Sequence, residues 1–155
     1  MNRALLRRRV APAVLAGVLG LAGAVAAGQQ SATAAAGPIT AGLTPSSVTT
    51  KVGESVMLTG SATNTTNATQ RVSMGISWPT TVSYGGAVGA GGCTPRHSGN
   101  LIYCGLNLGA GKAATITLTV VPNVAGTSTL RAYARITYTT DDTFAYSTIT
   151  AAPAP

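Results

Sequence analysis

The chain has 155 residues, a formal net charge of +7, three acidic side chains, two cysteines and a single histidine. This length suits one domain and is too short for two of ordinary size. Three carboxylates and one imidazole offer little for acid–base catalysis, and the cysteines and histidine cannot complete a structural zinc site. We therefore expect no enzyme, no metal site and no cofactor.

Residues 1–36 are predicted to be a signal peptide. Arg3 and three consecutive arginines at 7–9 precede an apolar run of Ala, Leu, Val and Gly at 10–27, and small residues follow. A basic head, an apolar middle and a small-residue exit are typical of secretory signals. We expect cleavage near Ala34 or Ala36, by the general secretory or the twin-arginine route. The alternative is an uncleaved anchor, although the run is shorter than the about 20 apolar residues of a membrane span.

Cleavage of this leader changes the charge of the protein. Six cations remain, and they are Lys51, Arg71, Arg96, Lys112, Arg131 and Arg135. Against them stand Glu54, Asp141 and Asp142, so the net charge of the mature chain is +3. A mild positive excess does not indicate a nucleic-acid partner, and none is expected.

The mature domain is predicted at 47–150, preceded by a short linker or edge strand at 37–46 and followed by an Ala/Pro tail at 151–155. Four segments alternate strictly between apolar and polar residues. Their apolar positions are Val56, Leu58, Gly60 and Ala62; Val72, Met74, Ile76 and Trp78; Ile116, Leu118 and Val120; and Leu130, Ala132, Ala134 and Ile136. Period two is typical of antiparallel sheets with one wet side. We predict an all-β, immunoglobulin-like antiparallel two-sheet sandwich of about seven strands, the alternative being a small closed barrel.

Stretches rich in turn-forming residues are predicted to separate the strands, among them 64–69, 105–111 and 140–143. The glycine-rich stretch 85–92 is predicted to be a mobile loop, because it lacks the Lys-Ser/Thr pair of a phosphate-binding loop. Asp141 and Asp142 are predicted to form a hairpin turn, the alternative being a Ca²⁺ site shared with Glu54. Asn64 and Asn67 stand in Asn-x-Thr sequons, which matter only in a host that glycosylates such sites.

The two cysteines, Cys93 and Cys104, are predicted to form a disulfide, as is usual in an oxidising compartment. The alternatives are two free buried thiols or half of a metal site. His97 lies in the polar stretch between the cysteines and is predicted to be an exposed loop residue. It is not expected to act as a general base, because a base needs an orienting carboxylate nearby.

One strip of side chains is a candidate binding surface. Arg131, Tyr133 and Arg135 are two residues apart on one predicted strand, so they project from the same face. Two planar cations beside an aromatic ring suit an anionic polymer or a sugar. The alternative is a solvated face whose arginines discourage aggregation. Trp78 shares the parity of the apolar positions, which favours a core residue over a platform for sugar stacking.

The order of short motifs along the chain resembles a family. The motifs are Thr63-Asn64, Trp78-Pro79, Cys93, Cys104-Gly105-Leu106, the Gly-containing turn at 108–111, the alternating strand at 114–122 and Ala-Gly-Thr-x-x-Leu at 125–130. They are similar to the secreted bacterial immunoglobulin-like module called "domain of unknown function eleven". Trp78 stands where that family usually has Leu, and its usual pair of asparagines is missing after Asp142. The resemblance implies an immunoglobulin-like fold and supplies no catalytic residues.

These observations favour a noncatalytic secreted module, associated with the cell envelope or extracellular, with a structural or binding role. Its partner is predicted to be an anionic cell-envelope polymer or another surface protein, with no membrane contact after cleavage. The alternative is a secreted small-molecule carrier of the sandwich type. The carriers that the chain resembles have two disulfides and an acidic surface, which counts against this alternative. A secreted inhibitor or hydrolase is the third class.

Overall fold

The structure is a computed structural model, and it describes residues 32–33 and 37–155. In these residues the chain forms eleven β-strands and no helix. The strands are β1 (Ala32–Thr33), β2 (Ile39–Pro45), β3 (Thr49–Lys51), β4 (Val56–Asn64), β5 (Gln70–Ser77), β6 (Val82–Ala90), β7 (Arg96–Ser98), β8 (Leu101–Leu108), β9 (Ala113–Pro122), β10 (Gly126–Ile136) and β11 (Thr143–Ala152). Within the described ranges, no helix is long and apolar enough to cross a bilayer. Apart from β1, the predicted signal peptide and its cleavage site lie outside those ranges.

The strands form two facing sheets. Sheet A has the order β1-β2-β4-β9-β6, and sheet B has the order β3-β11-β10-β5-β8-β7. Neighbouring strands are antiparallel except for β3 and β11, which run parallel. Buried side chains from both sheets form one hydrophobic cluster between them. The predicted all-β two-sheet sandwich is therefore confirmed.

Seven strands make up the immunoglobulin-like core. In chain order β2, β4, β5, β6, β9, β10 and β11 occupy the positions A to G, because β2-β4-β9-β6 matches the ABED sheet and β11-β10-β5 matches the GFC sheet. The short strands β1 and β3 are additions at the N-terminal side. The hairpin of β7 and β8 is inserted between β6 and β9, and it extends sheet B beyond β5. The prediction of about seven strands describes the core and misses this inserted hairpin.

The apolar sides of the alternating segments face the space between the sheets, as predicted. The inward apolar side chains of β4, β5 and β9 are at most 1% exposed. On β10 the inward residues Leu130, Ala132 and Ala134 are buried, and Ile136, the last residue of the strand, is partly buried. Gly60 is also at an inward position, where the absence of a side chain makes room for Ile76. A Cβ atom at Gly60 would lie 2.8 Å from the Ile76 Cδ1 atom.

The glycine-rich stretch 85–92 is not the predicted mobile loop. Residues 82–90 form β6, which pairs with β9 along its length and carries a bulge between Tyr84 and Gly86. Glycine is required just after the strand, where the chain passes close to β9. Gly91 has a φ of +69° and a Cβ there would lie 2.6 Å from the Ala113 carbonyl oxygen. Small residues at this edge therefore permit close backbone approach rather than mobility.

The predicted boundaries at both ends and at one turn also differ from the structure. Residues 37–46, predicted as a linker or edge strand, contain the strand β2 near the edge of sheet A, and because its Ile39, Ala41 and Leu43 are buried in the core, the domain begins before residue 47. The last strand continues to Ala152, into the predicted tail. The predicted turn at 105–111 is shorter, because β8 continues to Leu108.

Asn64 is a fully buried polar residue where β4 ends. Its amide nitrogen donates to the carbonyl oxygens of Leu108 at 2.8 Å, Ala68 at 2.8 Å and Gly109 at 3.1 Å. Its side-chain oxygen accepts from the backbone N–H and the hydroxyl of Thr66, at 3.0 and 2.7 Å. One carboxamide thus joins the β4–β5 loop to the end of β8. Of the two sequons, only that of Asn67 is exposed.

Candidate binding face

Cross-strand pairing brings one row of outward residues together on sheet B. From β11 to β7 the row is Phe144, Tyr133, Gly75, Tyr103 and Arg96. Adjacent strands lie about 4.8 Å apart, so the row spans about 19 Å. We call the surface formed by Tyr103, Tyr133, Phe144, Arg71, Arg96, Arg131 and Arg135 the arginine face. Tyr133 is the centre of the predicted strip, and the pairing places that strip at one end of a wider surface.

The arginine face carries four of the six cations outside the leader. Arg135 forms an ion pair with Asp142, with a nitrogen–oxygen distance of 3.7 Å. No other ion pair within 4.0 Å occurs between described residues. Glu54 accepts hydrogen bonds from the Thr50 hydroxyl and the Lys51 backbone N–H at the end of β3. Arginine charge on this face therefore remains largely unneutralised.

The outer face of sheet A contrasts with this. Its outward positions on β4 and β9 are Met57, Thr59, Ser61 and Thr63, and Ala113, Thr115, Thr117, Thr119 and Val121. None of them carries a charge. The charge of the sandwich is therefore distributed unevenly between its two outer faces, and a cationic face on one side attracts an anionic partner to that side.

Aromatic rings on the arginine face are packed against their neighbours. The guanidinium carbon of Arg131 lies 5.0 Å from the centroid of the Phe144 ring. Such a cation–π contact orients the guanidinium without neutralising its charge. The Tyr133 ring covers Gly75, where a Cβ would lie 2.6 Å from the Tyr133 Cε1 atom. Gly75 is consequently buried although its position in the strand faces outward.

Two open grooves lie on the arginine face, one toward each edge. The larger, of about 570 Å³, is lined by Ser77, Trp78, Asn100, Leu101, Arg131, Tyr133, Arg135, Asp142 and Phe144. The smaller, of about 350 Å³, is lined by Arg71, Gly92, Thr94, Arg96, Tyr103 and Gly105. The first groove contains the predicted strip Arg131, Tyr133 and Arg135. The second had no counterpart in the sequence prediction.

The predicted disulfide between Cys93 and Cys104 is formed. Both cysteines are buried, at 6% and 1% exposure. Cys93 follows β6 of sheet A, whereas Cys104 lies in β8 of sheet B. The bridge therefore ties the inserted hairpin to the connection that leads into it, next to the smaller groove.

His97 is exposed, as predicted, but it lies in a strand rather than a loop. Its ring stacks on Tyr84 with the ring centroids 4.2 Å apart, and both rings lie nearly parallel to Trp78 at 5.9 Å. His97 pairs with inward-facing Ile102 across the hairpin, so its ring lies on the side of β7 that meets Tyr84, although it stays exposed. Trp78 is 6% exposed, so the core position predicted for it is observed. The stack of Tyr84 on His97 thus joins β6 of sheet A to β7 of sheet B.

Asp141 and Asp142 lie in the connection between β10 and β11, where a hairpin turn was expected from the sequence. Asp142 is engaged by Arg135. Among the described residues, no three His, Cys, Asp or Glu side chains lie close enough together to hold a metal ion.

The sequence-based prediction missed Arg71, Arg96, Tyr103 and Phe144 as members of the face. Parity alone could have assigned Arg71 and Tyr103 to outward positions, because each neighbours an inward residue of its strand. Which strands lie side by side depends on register and on the inserted hairpin, and a single sequence does not reveal either.

No protein-family model matches the chain, and no curated protein matches it. The resemblance to "domain of unknown function eleven" therefore stays a prediction. Several solved structures share the fold. Escherichia coli α2-macroglobulin matches with a TM-score of 0.56 and 18% identity over 76% of this chain and 7% of that protein. The major pilin subunit BcpA of Bacillus cereus matches with a TM-score of 0.51 and 5% identity over 72% of this chain and 41% of the pilin.

A third similar structure is that of AvmM, which catalyses macrocyclization in alchivemycin A biosynthesis. It matches with a TM-score of 0.50 and 9% identity over 76% of this chain and 90% of AvmM. A pilin subunit and an enzyme thus share this sandwich. At such low identity the likeness shows the fold alone, and function must be argued from the surface.

Replacing Gly75 by Ala is expected to destabilise the protein by about 1–3 kcal/mol, because the new methyl group must displace the Tyr133 ring or the β8 backbone. The Cβ would lie 2.6 Å from the Ile102 carbonyl oxygen and 3.1 Å from the Tyr103 Cβ atom. Gly105→Ala is the matched control, since its nearest neighbour would be the Val72 carbonyl oxygen at 3.9 Å. Urea unfolding of both variants measures the difference. Equal midpoints would contradict the close packing of Tyr133 on Gly75.

Proposed function

We propose that the protein is a noncatalytic, exported immunoglobulin-like module that binds an anionic polymer of the cell envelope through the arginine face. The observation that carries this proposal is the charge distribution. Among the described residues, the four arginines on this outer face make a single ion pair, between Arg135 and Asp142, while the outward positions of β4 and β9 on the other face are uncharged. Arginine forks bind carboxylate and phosphate oxygens in a bidentate manner, which suits a polyanion.

Export is supported by the disulfide and by the leader-like composition of residues 1–36. A buried disulfide persists in oxidising surroundings and is rare in the reducing cytosol. The leader also contains four of the chain's ten cations. Its cleavage lowers the net charge of the protein and leaves the arginine face as the main concentration of positive charge.

Binding is tested with the full chain expressed from its own leader in a bacterial host, with protein collected from the culture fluid. We expect the processed protein to sediment with purified cell walls and to be released as salt is raised, because salt screens and competes with ionic contacts. Arg131→Ala/Arg135→Ala is expected to weaken this binding about tenfold or more, since hydrogen bonds to charged groups contribute about 1.5–3 kcal/mol each.

Lys51→Ala/Lys112→Ala is the matched control, because it removes the same charge from positions outside both grooves. We expect the control to retain binding within about threefold, a difference of under 1 kcal/mol as is usual for surface charges. Equal losses in the two variants would show an effect of net charge alone and would reject the face. Recovery of the protein solely from the cytosol, with its leader intact, would reject export.

A further inference from the structure

The inserted β7–β8 hairpin builds the smaller groove. Arg96 and Thr94 come from β7 and the segment before it, and Tyr103 and Gly105 come from β8. Only Arg71, on β5, belongs to the seven-stranded core. Without the insertion, sheet B would end at β5, the smaller groove would be absent, and the larger groove would lose Asn100 and Leu101 from its lining.

We propose that the smaller groove is a second anion site, and that the two grooves together bind successive negative charges of one linear acidic glycan. This inference rests on the proposed function, since it assigns the partner class of the same face. Arg71 and Arg96 are exposed and line the groove on either side of Tyr103. Among the residues that the structure describes, no carboxylate oxygen lies within 4.0 Å of a guanidinium nitrogen of either arginine. Two free guanidinium groups at one groove offer several charge-assisted donors to a carboxylate or phosphate.

The span of the arginines across the face selects a polymer over a small anion. Arg71 lies on β5, next to the β10 strand of Arg131 and Arg135, whereas Arg96, on the far side of the smaller groove, lies on β7, three strands from β10. At about 4.8 Å per strand this separation is about 14 Å. A single phosphate or a single sugar acid can occupy one groove only, whereas a chain with repeated charges occupies both. Its second contact is then intramolecular, which raises the overall affinity by about 100-fold or more when the geometry fits.

The packing of the rings favours a glycan over a single-stranded nucleic acid. Base recognition without sequence preference depends on aromatic side chains whose faces are open for stacking. Here Arg131 covers one face of Phe144 and Tyr133 lies with one face on Gly75, so Tyr146, opposite Arg131 on β11, is the ring of this face that is more than half exposed. The remaining lining includes the apolar side chains of Trp78 and Leu101. It also places hydroxyl and amide groups from Ser77, Asn100 and Thr94 beside the guanidinium groups. Such groups match the acidic and hydroxyl oxygens of a charged polysaccharide.

The test is a binding titration of the mature protein with polygalacturonate as the carboxylate probe and inorganic polyphosphate as the phosphate probe. Each is compared with its monomer, galacturonate or inorganic phosphate, in the wild type and in Arg71→Ala/Arg96→Ala. We expect the affinity of the wild type for at least one polymer, counted per charged unit, to exceed its affinity for the monomer by about 100-fold. The variant should lose most of this preference while it binds the monomer within about threefold of the wild type. Lys51→Ala/Lys112→Ala should keep the preference.

The outcomes separate this inference from the proposed function. If the wild type binds a polymer and Arg71→Ala/Arg96→Ala binds it equally well, the second site is rejected and the binding function stands. If neither polymer binds the wild type, both proposals are rejected. Tighter binding of single-stranded DNA or of anionic phospholipid vesicles than of both polymers would overturn the glycan assignment. Circular dichroism of each variant should match the wild type, because all of these substitutions are on the exposed surface.

Discussion

Asn64→Ala is expected to lower the free energy of unfolding by about 3 kcal/mol, with a fall in Tm of more than about 10 °C. The substitution removes every hydrogen bond of a side chain that is 0% exposed. It leaves the Leu108 carbonyl oxygen, which accepts from Asn64 inside the protein, without that donor. Unsatisfied buried polar groups cost about 1–3 kcal/mol each, and the vacated space adds to the loss. Urea unfolding monitored by Trp78 fluorescence measures the effect.

Asn67→Ala is the matched control for this prediction. Asn67 lies three residues along the same loop and is exposed, so its loss should change stability by less than about 0.5 kcal/mol. Asn64→Asp keeps the shape but places a carboxylate against the carbonyl oxygens of Ala68, Leu108 and Gly109. We expect it to be at least as damaging as Asn64→Ala at neutral pH. Similar stability of the Asn64 and Asn67 alanine variants would contradict the role assigned to the buried carboxamide.

The sequence predicted the layers of the fold because the alternation of side chains reports directly which face is buried. On β4 and β9 every second residue enters the core, and the threonines between them face water, as expected. Strict period two over eight or more residues has no other common explanation in a chain with these turn signals. Topology beyond the seven core strands could not be predicted, because strand order depends on contacts between residues far apart in the chain.

Two local predictions failed for a common reason. Residues 85–92 contain little but small residues, which from sequence alone indicates a flexible loop. In the structure, β6 is held by its pairing to β9, and the glycines allow backbone to approach backbone. His97 was likewise assigned to a loop, although it forms part of β7 and stacks on Tyr84. In both places tertiary pairing decided the conformation, and local composition did not.

Three of the seven residues of the arginine face were predicted from the sequence, and the other four were not. Arg131, Tyr133 and Arg135 share one strand, so their common face follows from spacing alone. Arg96 joins them only because the hairpin of β7 and β8 lies beside β5. The larger groove is lined by Tyr133, whose ring can lie against the sheet because Gly75 has no side chain. A glycine in a strand gives no sign in the sequence of which ring will cover it.

Loss of the Cys93–Cys104 disulfide is expected to cost about 3 kcal/mol, because the bridge removes conformational entropy from the unfolded chain. The two cysteines are separated by 11 residues, and for a loop of that size the chain-entropy relation gives about this value. Unfolding in urea should be compared for the oxidised wild type, the reduced wild type and Cys93→Ala/Cys104→Ala. Reduction leaves the buried side chains in place, whereas the double variant also removes two sulfur atoms from the core.

The reduced protein and the double variant should therefore agree within about 1–2 kcal/mol, the variant being the less stable because buried volume is lost. Loss of the disulfide should lower the protection of backbone amides against hydrogen exchange by different amounts in different strands. Amide hydrogen exchange is expected to accelerate most in β7, which pairs with β8 alone, and least in β4, which lies between β2 and β9. Because β7 carries Arg96, reduction should also weaken the smaller groove before the larger one. An unchanged unfolding midpoint after reduction would show that the hairpin is held by packing and hydrogen bonds without the bridge.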